Sequence, residues 1–158
     1  MNKYDKQNIG RLILNIALPL CVGGATALIN RNGFDEYAQL KLPPLSPPSW
    51  IFPVVWSILY VLMGISTYLV SNKGTDFPKR PLTIYVVQLA MNFLWPVLFF
   101  TFKAYLLSFI WLVVLTALVI VMAVIFCRIN KKAGLLQLPY ILWSVFALYL
   151  NLGVYLLN

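Results

Sequence analysis

Long apolar runs alternate with short polar interruptions along this chain. A helix that crosses a bilayer needs about 20 mostly apolar residues. Five stretches meet that length: about 12–29, 51–71, 82–102, 104–126 and 134–157. Pro47-Pro48 and Asn72-Lys73-Gly74 bound the second stretch, and Pro81 opens the third, where proline suits a first helical turn. The third and fourth meet around Lys103 with almost no loop, so antiparallel neighbours are expected. Inside a bilayer each segment has to satisfy its own backbone polar groups, which favours helices. The pattern therefore predicts an all-α membrane protein with a single domain over residues 1–158, built as a compact bundle of five transmembrane helices.

Two segments depart from the simple alternation of spans and connectors. Ala25-Thr26-Ala27, after a basic start and an apolar run, resembles a signal-peptide cleavage site. The run is long for a signal core, and Gly23-Gly24 offers close helix contact, so a retained helix is expected. The loop from Asn30 to Trp50 holds four prolines between Pro43 and Pro48, which impose stiff, extended backbone. Phe34, Tyr37, Leu40, Leu42 and Leu45 give it apolar side chains to pack down. Loops of this length are uncommon unless functional. It reads either as a Pro-rich lid over the open end of the bundle or as a rigid surface connector.

Composition agrees with the membrane reading and narrows the chemistry. Of 158 residues, 61% are hydrophobic and 10% are charged, and the mean hydropathy is +0.84. Soluble domains carry about 25% charged residues. There is no histidine, which excludes His-ligated zinc, a His axial ligand to haem and the Ser-His-Asp and Cys-His nucleophile pairs. Cys21 and Cys127 form no Cys-x-x-Cys site and are expected to be small buried side chains, so no metal site is expected. No charged residue lies inside a span, which argues against ion-coupled pumping and carboxylate acid–base catalysis within the membrane.

The net charge of +8 sorts by side. Lys3, Lys6, Arg11, Lys73, Lys79, Arg80, Arg128, Lys131 and Lys132 fall on one side, against Arg31, Lys41 and Lys103 on the other. The positive-inside rule then places the N-terminus in the cytoplasm and the C-terminus and long loop outside. These basic residues suit anionic membrane lipid and are too scattered for a nucleic-acid footprint, so no nucleic-acid partner is expected. The missing Ser/Arg-rich presequence favours a bacterial cell membrane over an organelle.

Aromatic residues carry the remaining information. Trp56 and Tyr60 are four residues apart in the second span. Asn92, Trp95 and Phe99 share a face of the third, and Trp143, Ala147 and Asn151 step along the fifth. Such stripes fit a tightly packed aromatic core. They fit equally a cavity walled by flat rings with a few amides, suited to a large flat apolar ligand such as a tetrapyrrole or sterol. Gly23-x-x-x-Ala27 offers a small-residue contact for a homodimer or for packing within the chain.

Three motifs together resemble the translocator proteins, the TspO family also called peripheral benzodiazepine receptors (TspO/MBR). The first runs from Tyr37 through Pro43, Ser46-Pro47-Pro48, Trp50, Phe52, Trp56 and Tyr60 to Met63-Gly64. The second is Asn92-x-x-Trp95-x-x-x-Phe99-Phe100, and the third runs from Ala133 through Pro139-Tyr140, Trp143 and Phe146-Ala147 to Asn151. The resemblance implies a five-helix bundle, often dimeric, whose first loop closes a pocket for porphyrins (protoporphyrin IX, haem), sterols in some members, and synthetic drugs. No intrinsic cofactor is implied; porphyrin is a ligand. Ligand-lining positions carried over by motif are Tyr37, Pro47, Trp56, Asn92, Trp95, Trp143 and Ala147. The resemblance implies tetrapyrrole sensing, handling or degradation, with transport of porphyrin or sterol-like ligands as the alternative. Enzymatic activity is left open: light-driven oxidative degradation of protoporphyrin, attributed in some bacterial members to pocket tryptophans, would fall to Trp56 and Trp143. The chain departs from the family pattern at Glu36 and Leu45, where tryptophan is common, and its last residues carry no basic residue after Tyr155 to complete a sterol motif.

Overall fold

The computed structural model describes residues 3–71 and 79–158. Among them seven α-helices are found and no strand. α1 (Lys3–Ile29), α3 (Ile51–Ser71), α4 (Lys79–Pro96) and α5 (Tyr105–Ile129) are long. α2 (Gly33–Gln39) lies in the first loop, and α6 (Lys131–Leu135) precedes α7 (Leu138–Leu157). Five helical spans are long and apolar enough to cross a membrane: Asn8–Ile29, Ile51–Ser71, Pro81–Thr101, Tyr105–Ile129 and Lys131–Leu157. The protein is an all-α integral membrane protein.

The fifth span is not the continuous helix expected over 134–157. Asn130 breaks the chain with extended backbone and caps α6, its side chain accepting from the Lys132 N–H at 3.0 Å. Pro139 has no N–H to bond back to Leu135, so the helix restarts as α7 with that proline in its first turn. The third span also changes register. After Pro96 it opens into a π-helical turn, Val97–Thr101, a device common at functional sites. Lys103 then turns the chain with φ of 49°, which shortens the link to α5.

Close helix contact is made by glycine. A Cβ on Gly64 would lie 2.6 Å from the Asn15 carbonyl oxygen and the Ile16 Cα, so α1 and α3 touch backbone to backbone there. A Cβ on Gly134 would lie 2.7 Å from Cys127 Cα and 2.8 Å from the Ala123 carbonyl, so α6 lies flush on α5. Ser66 Oγ on α3 donates to the Ala133 carbonyl on α6 at 2.7 Å. Between these elements Met63, Val119, Met122 and Phe126 form a core with no exposed surface. The first span is the least enclosed, with 6% of its apolar window buried against 39% for α3 and α5. Cys21 and Cys127 are both exposed, not buried as expected: each lies on an outward face of its helix, where a membrane accepts apolar side chains.

The first loop is held at several points. Asn158 binds Lys41 twice at 3.0 Å, accepting its N–H and donating to its carbonyl. Tyr149 Oη on α7 donates to the Pro44 carbonyl at 2.7 Å. Glu36 on α2 forms an ion pair with Lys103. α2 itself was not expected from a proline-rich reading, although Gly33 to Gln39 precedes the first proline. Leu45 does not pack down: it turns outward at φ 66° and is 83% exposed, because tight reversal between two Pro-Pro pairs points its side chain away. The Phe34 side chain lies outside the described residues.

Candidate functional site

Beneath the loop lies a cavity of about 420 Å³, open along one side. It is bounded by α1, α2 and the loop, α3, α4 with its π-turn, and α7. Small ligand sites are of this order, and they are typically apolar with a few placed polar groups.

The floor is a layer of rings and amides. Trp56 packs on Tyr60 at 5.5 Å and edge-on to Tyr140 at 5.8 Å. Tyr60 Oη donates to Asn92 Oδ1 at 2.9 Å, and Asn92 Nδ2 donates to Tyr140 Oη at 2.6 Å. Tyr140 Oη in turn donates to Gln88 Oε1 at 3.2 Å. Asn92 thus bridges α3 and α7 from α4, and the ladder fixes both tyrosines that hold Trp56. Satisfied networks of this kind rigidify their surroundings.

A second amide fixes the other tryptophan. Asn151 is satisfied with Oδ1 accepting from Trp95 Nε1 at 3.1 Å and Nδ2 donating to the Tyr105 carbonyl at 3.0 Å. Trp95 lies 5.5 Å from Phe99, tilted by 30°, and the π-turn carries Phe99 and Phe100 to the same wall. Ala147 lies between the tryptophans: with Trp56 and Trp95 it also lines a small void below the main cavity.

The roof is made by the loop. Tyr37 lies edge-on to Phe52 at 5.2 Å and donates through Oη to the Pro47 carbonyl at 2.9 Å. Burial raises the Tyr37 phenol above its ordinary value, and a hydrogen bond with Ser46 partly opposes this. Tyr37 therefore stays neutral at physiological pH and keeps its proton in that bond.

Five of the seven predicted lining residues come together on the cavity wall: Tyr37, Trp56, Asn92, Trp95 and Ala147. Pro47 and Trp143 do not line it. Pro47 acts behind Tyr37 as its acceptor, and Trp143 packs against Phe52 at 6.0 Å and Phe146 at 5.5 Å. The physical reason is position along the helix. Trp143 shares the face of α7 that carries Ala147, Leu150, Asn151 and Val154, but it stands about 6 Å nearer the helix start than Ala147. There Phe52 and Phe146 take up its ring. The contribution of α1 was missed. Leu20, Gly23, Thr26 and Ala27 line the cavity, and a side chain at Gly23 would strike the Tyr60 ring. The run of small residues Gly23-Gly24-Ala25-Thr26-Ala27 was the available signal.

The mouth is traced by residues that line the cavity yet are exposed: Gly24, Ala27 and Arg31 on the α1 side, Pro53 and Ser57 on α3. With no carboxylate on its wall, the site offers stacking faces, amides, hydroxyls and one guanidinium.

Residues 15–156 match the TspO/MBR family. The chain is similar to the tryptophan-rich protein TspO of Archaeoglobus fulgidus, at 33% identity over 152 residues, covering 96% of this chain and 99% of that protein. It is 36% identical over 129 residues to the translocator protein of Ovis aries, covering 80% and 76%. Protein CrtK of Rhodobacter capsulatus is 35% identical over 140 residues, covering 87% and 86%.

Proposed function

This chain belongs to the TspO/MBR family, and on that footing we propose that it binds a porphyrin such as protoporphyrin IX or haem in the cavity beneath its first loop. The role is tetrapyrrole sensing, handling or degradation in a bacterial cell membrane, with the N-terminus cytoplasmic and the loop outside. The observation that carries the reading is the floor: Trp56 and Trp95 line one cavity and are each held by a buried amide network. Flat rings fixed in this way suit an aromatic macrocycle, because offset stacking needs held planes. Transport is less well supported, since the helices below the floor close on Met63, Val119, Met122 and Phe126 without exposed surface.

The test is a titration of the purified protein with protoporphyrin IX, followed by tryptophan fluorescence. Saturable quenching is expected, reduced in Trp56→Phe. Ala147→Phe fills the space between the tryptophans and is expected to weaken binding about ten-fold, within the range that overpacking costs. Absence of saturable quenching in the unaltered protein would sink the reading. Illumination of the complex then separates binding from degradation. Loss of porphyrin absorbance faster than in free porphyrin, slowed in Trp56→Phe, is the result expected of degradation.

A further inference from the structure

We infer that Arg31 is an oxyanion-recognition residue at the cavity mouth, and that the molecule bound there carries a carboxylate that pairs with it. The inference rests on the porphyrin-binding reading and adds the ionic group that the ligand must present.

Arg31 is the one charged residue that lines the cavity among the described residues. No carboxylate there answers it. Asp35, four residues on, makes no ion pair with it, and Glu36 is engaged by Lys103. The side-chain amides on the wall already donate within the protein. Asn30 Nδ2 donates to the Thr26 carbonyl at 2.9 Å, Asn92 Nδ2 to Tyr140 at 2.6 Å, and Asn151 Nδ2 to the Tyr105 carbonyl at 3.0 Å. A ligand that offers acceptors therefore meets Arg31 as the uncommitted charged donor.

Position reinforces chemistry. Arg31 stands two residues beyond the end of the first span at Ile29, where the apolar segment gives way to the interface. A ligand with an apolar ring system and an acidic edge would bury its rings between Trp56 and Trp95 and leave its carboxylate at that level. A guanidinium presents a planar fork of donors that matches a carboxylate in two parallel bonds. A phospholipid phosphate shares this oxyanion chemistry, so the experiment has to separate the two sources.

The full chain, purified in lipid-free maltoside detergent, is titrated with protoporphyrin IX and with its dimethyl ester. The free acid is expected to bind about three- to five-fold more tightly, the scale of an exposed ion pair. Arg31→Gln should erase that preference by bringing free-acid affinity down to that of the ester. Arg31→Lys should keep part of it, and Lys41→Gln, an equal charge change off the cavity wall, should keep all of it. The preference should persist when phosphatidylglycerol is added. Its loss on adding phosphatidylglycerol but not phosphatidylcholine overturns the inference and gives Arg31 to a lipid phosphate. Equal binding of acid and ester, unchanged in Arg31→Gln, overturns it while the porphyrin reading stands. Binding of neither probe overturns that reading and this inference with it.

Discussion

The two ends of the bundle are made from the same helices and differ in how they are filled. Toward α6, helices α3, α5 and α7 meet on Met63, Val119, Met122, Phe126 and Tyr140, with glycines drawing backbones together. Toward the loop, α3, α4 and α7 stand apart around a cavity, and their rings are fixed by amides in place of interlocking neighbours. In a bilayer, helix association is driven by packing contact and interhelical hydrogen bonds, since lipid is as apolar as leucine. The difference therefore separates the labour: one end holds the bundle together by contact, and the other is free to leave space because its polar ladder keeps the walls in place.

The largest effect expected from this division is at Phe126. Truncation to Ala leaves a cavity in the filled end and should cost about 3–5 kcal/mol, read as a fall in melting temperature in detergent. Trp95→Phe, in the hollow end, loses the bond to Asn151 and should cost no more than about 1.5 kcal/mol. Equal losses at the two positions would break the comparison. A smaller contrast comes from glycine. Gly64→Ala forces α1 away from α3 and should cost about 1–3 kcal/mol. Gly24, one turn along α1 from the cavity's Leu20, has nothing within 4 Å of an added Cβ, so Gly24→Ala should stay within about 0.5 kcal/mol of the parent.

The same division explains how far the sequence could be read. Span number and helical class follow from hydropathy, because each span answers to the bilayer independently of its neighbours. The break at Leu136–Gln137 does not, because apolar residues continue on both sides and only Pro139 hints at it. The stripe Asn92, Trp95, Phe99 reached the cavity wall because all three stay within one face even as Pro96 opens the π-turn. Trp143 did not, although it shares that face of α7: it stands one turn nearer the helix start, where Phe52 and Phe146 take its ring, and spacing alone does not say where along a face a cavity ends. The part played by α1 is carried by glycine and alanine, whose role in a wall is the space they leave, and hydrophobic pattern is blind to that. Motif comparison marked Glu36 as a lost aromatic contact. The structure supplies what stands in its place, an ion pair that no local pattern could reveal because Lys103 is far along the chain.

That ion pair sharpens the comparison at its weakest point, since it fastens the loop over the hollow end from the surface. The Lys103 side chain is exposed, so screening by water keeps its contribution small. Glu36→Gln should leave melting nearly unchanged and raise amide exchange across Gly33–Gln39 by less than about five-fold, with the residues anchored by Asn158 unaffected. High salt should reproduce that gain in the parent and add nothing in the variant. The pH dependence has a fixed sign. The hydrogen bond and charge of Glu36 raise the Lys103 ammonium above its ordinary value of 10.5, so the base side of the latch is fully set below that value and is lost as pH rises through the raised one. Exchange across α2 should be insensitive to this group in the neutral range once intrinsic rates are corrected, and should gain in strongly alkaline solution. A parent and Glu36→Gln that exchange alike at low salt would show that the hollow end is closed by its α7 anchors alone.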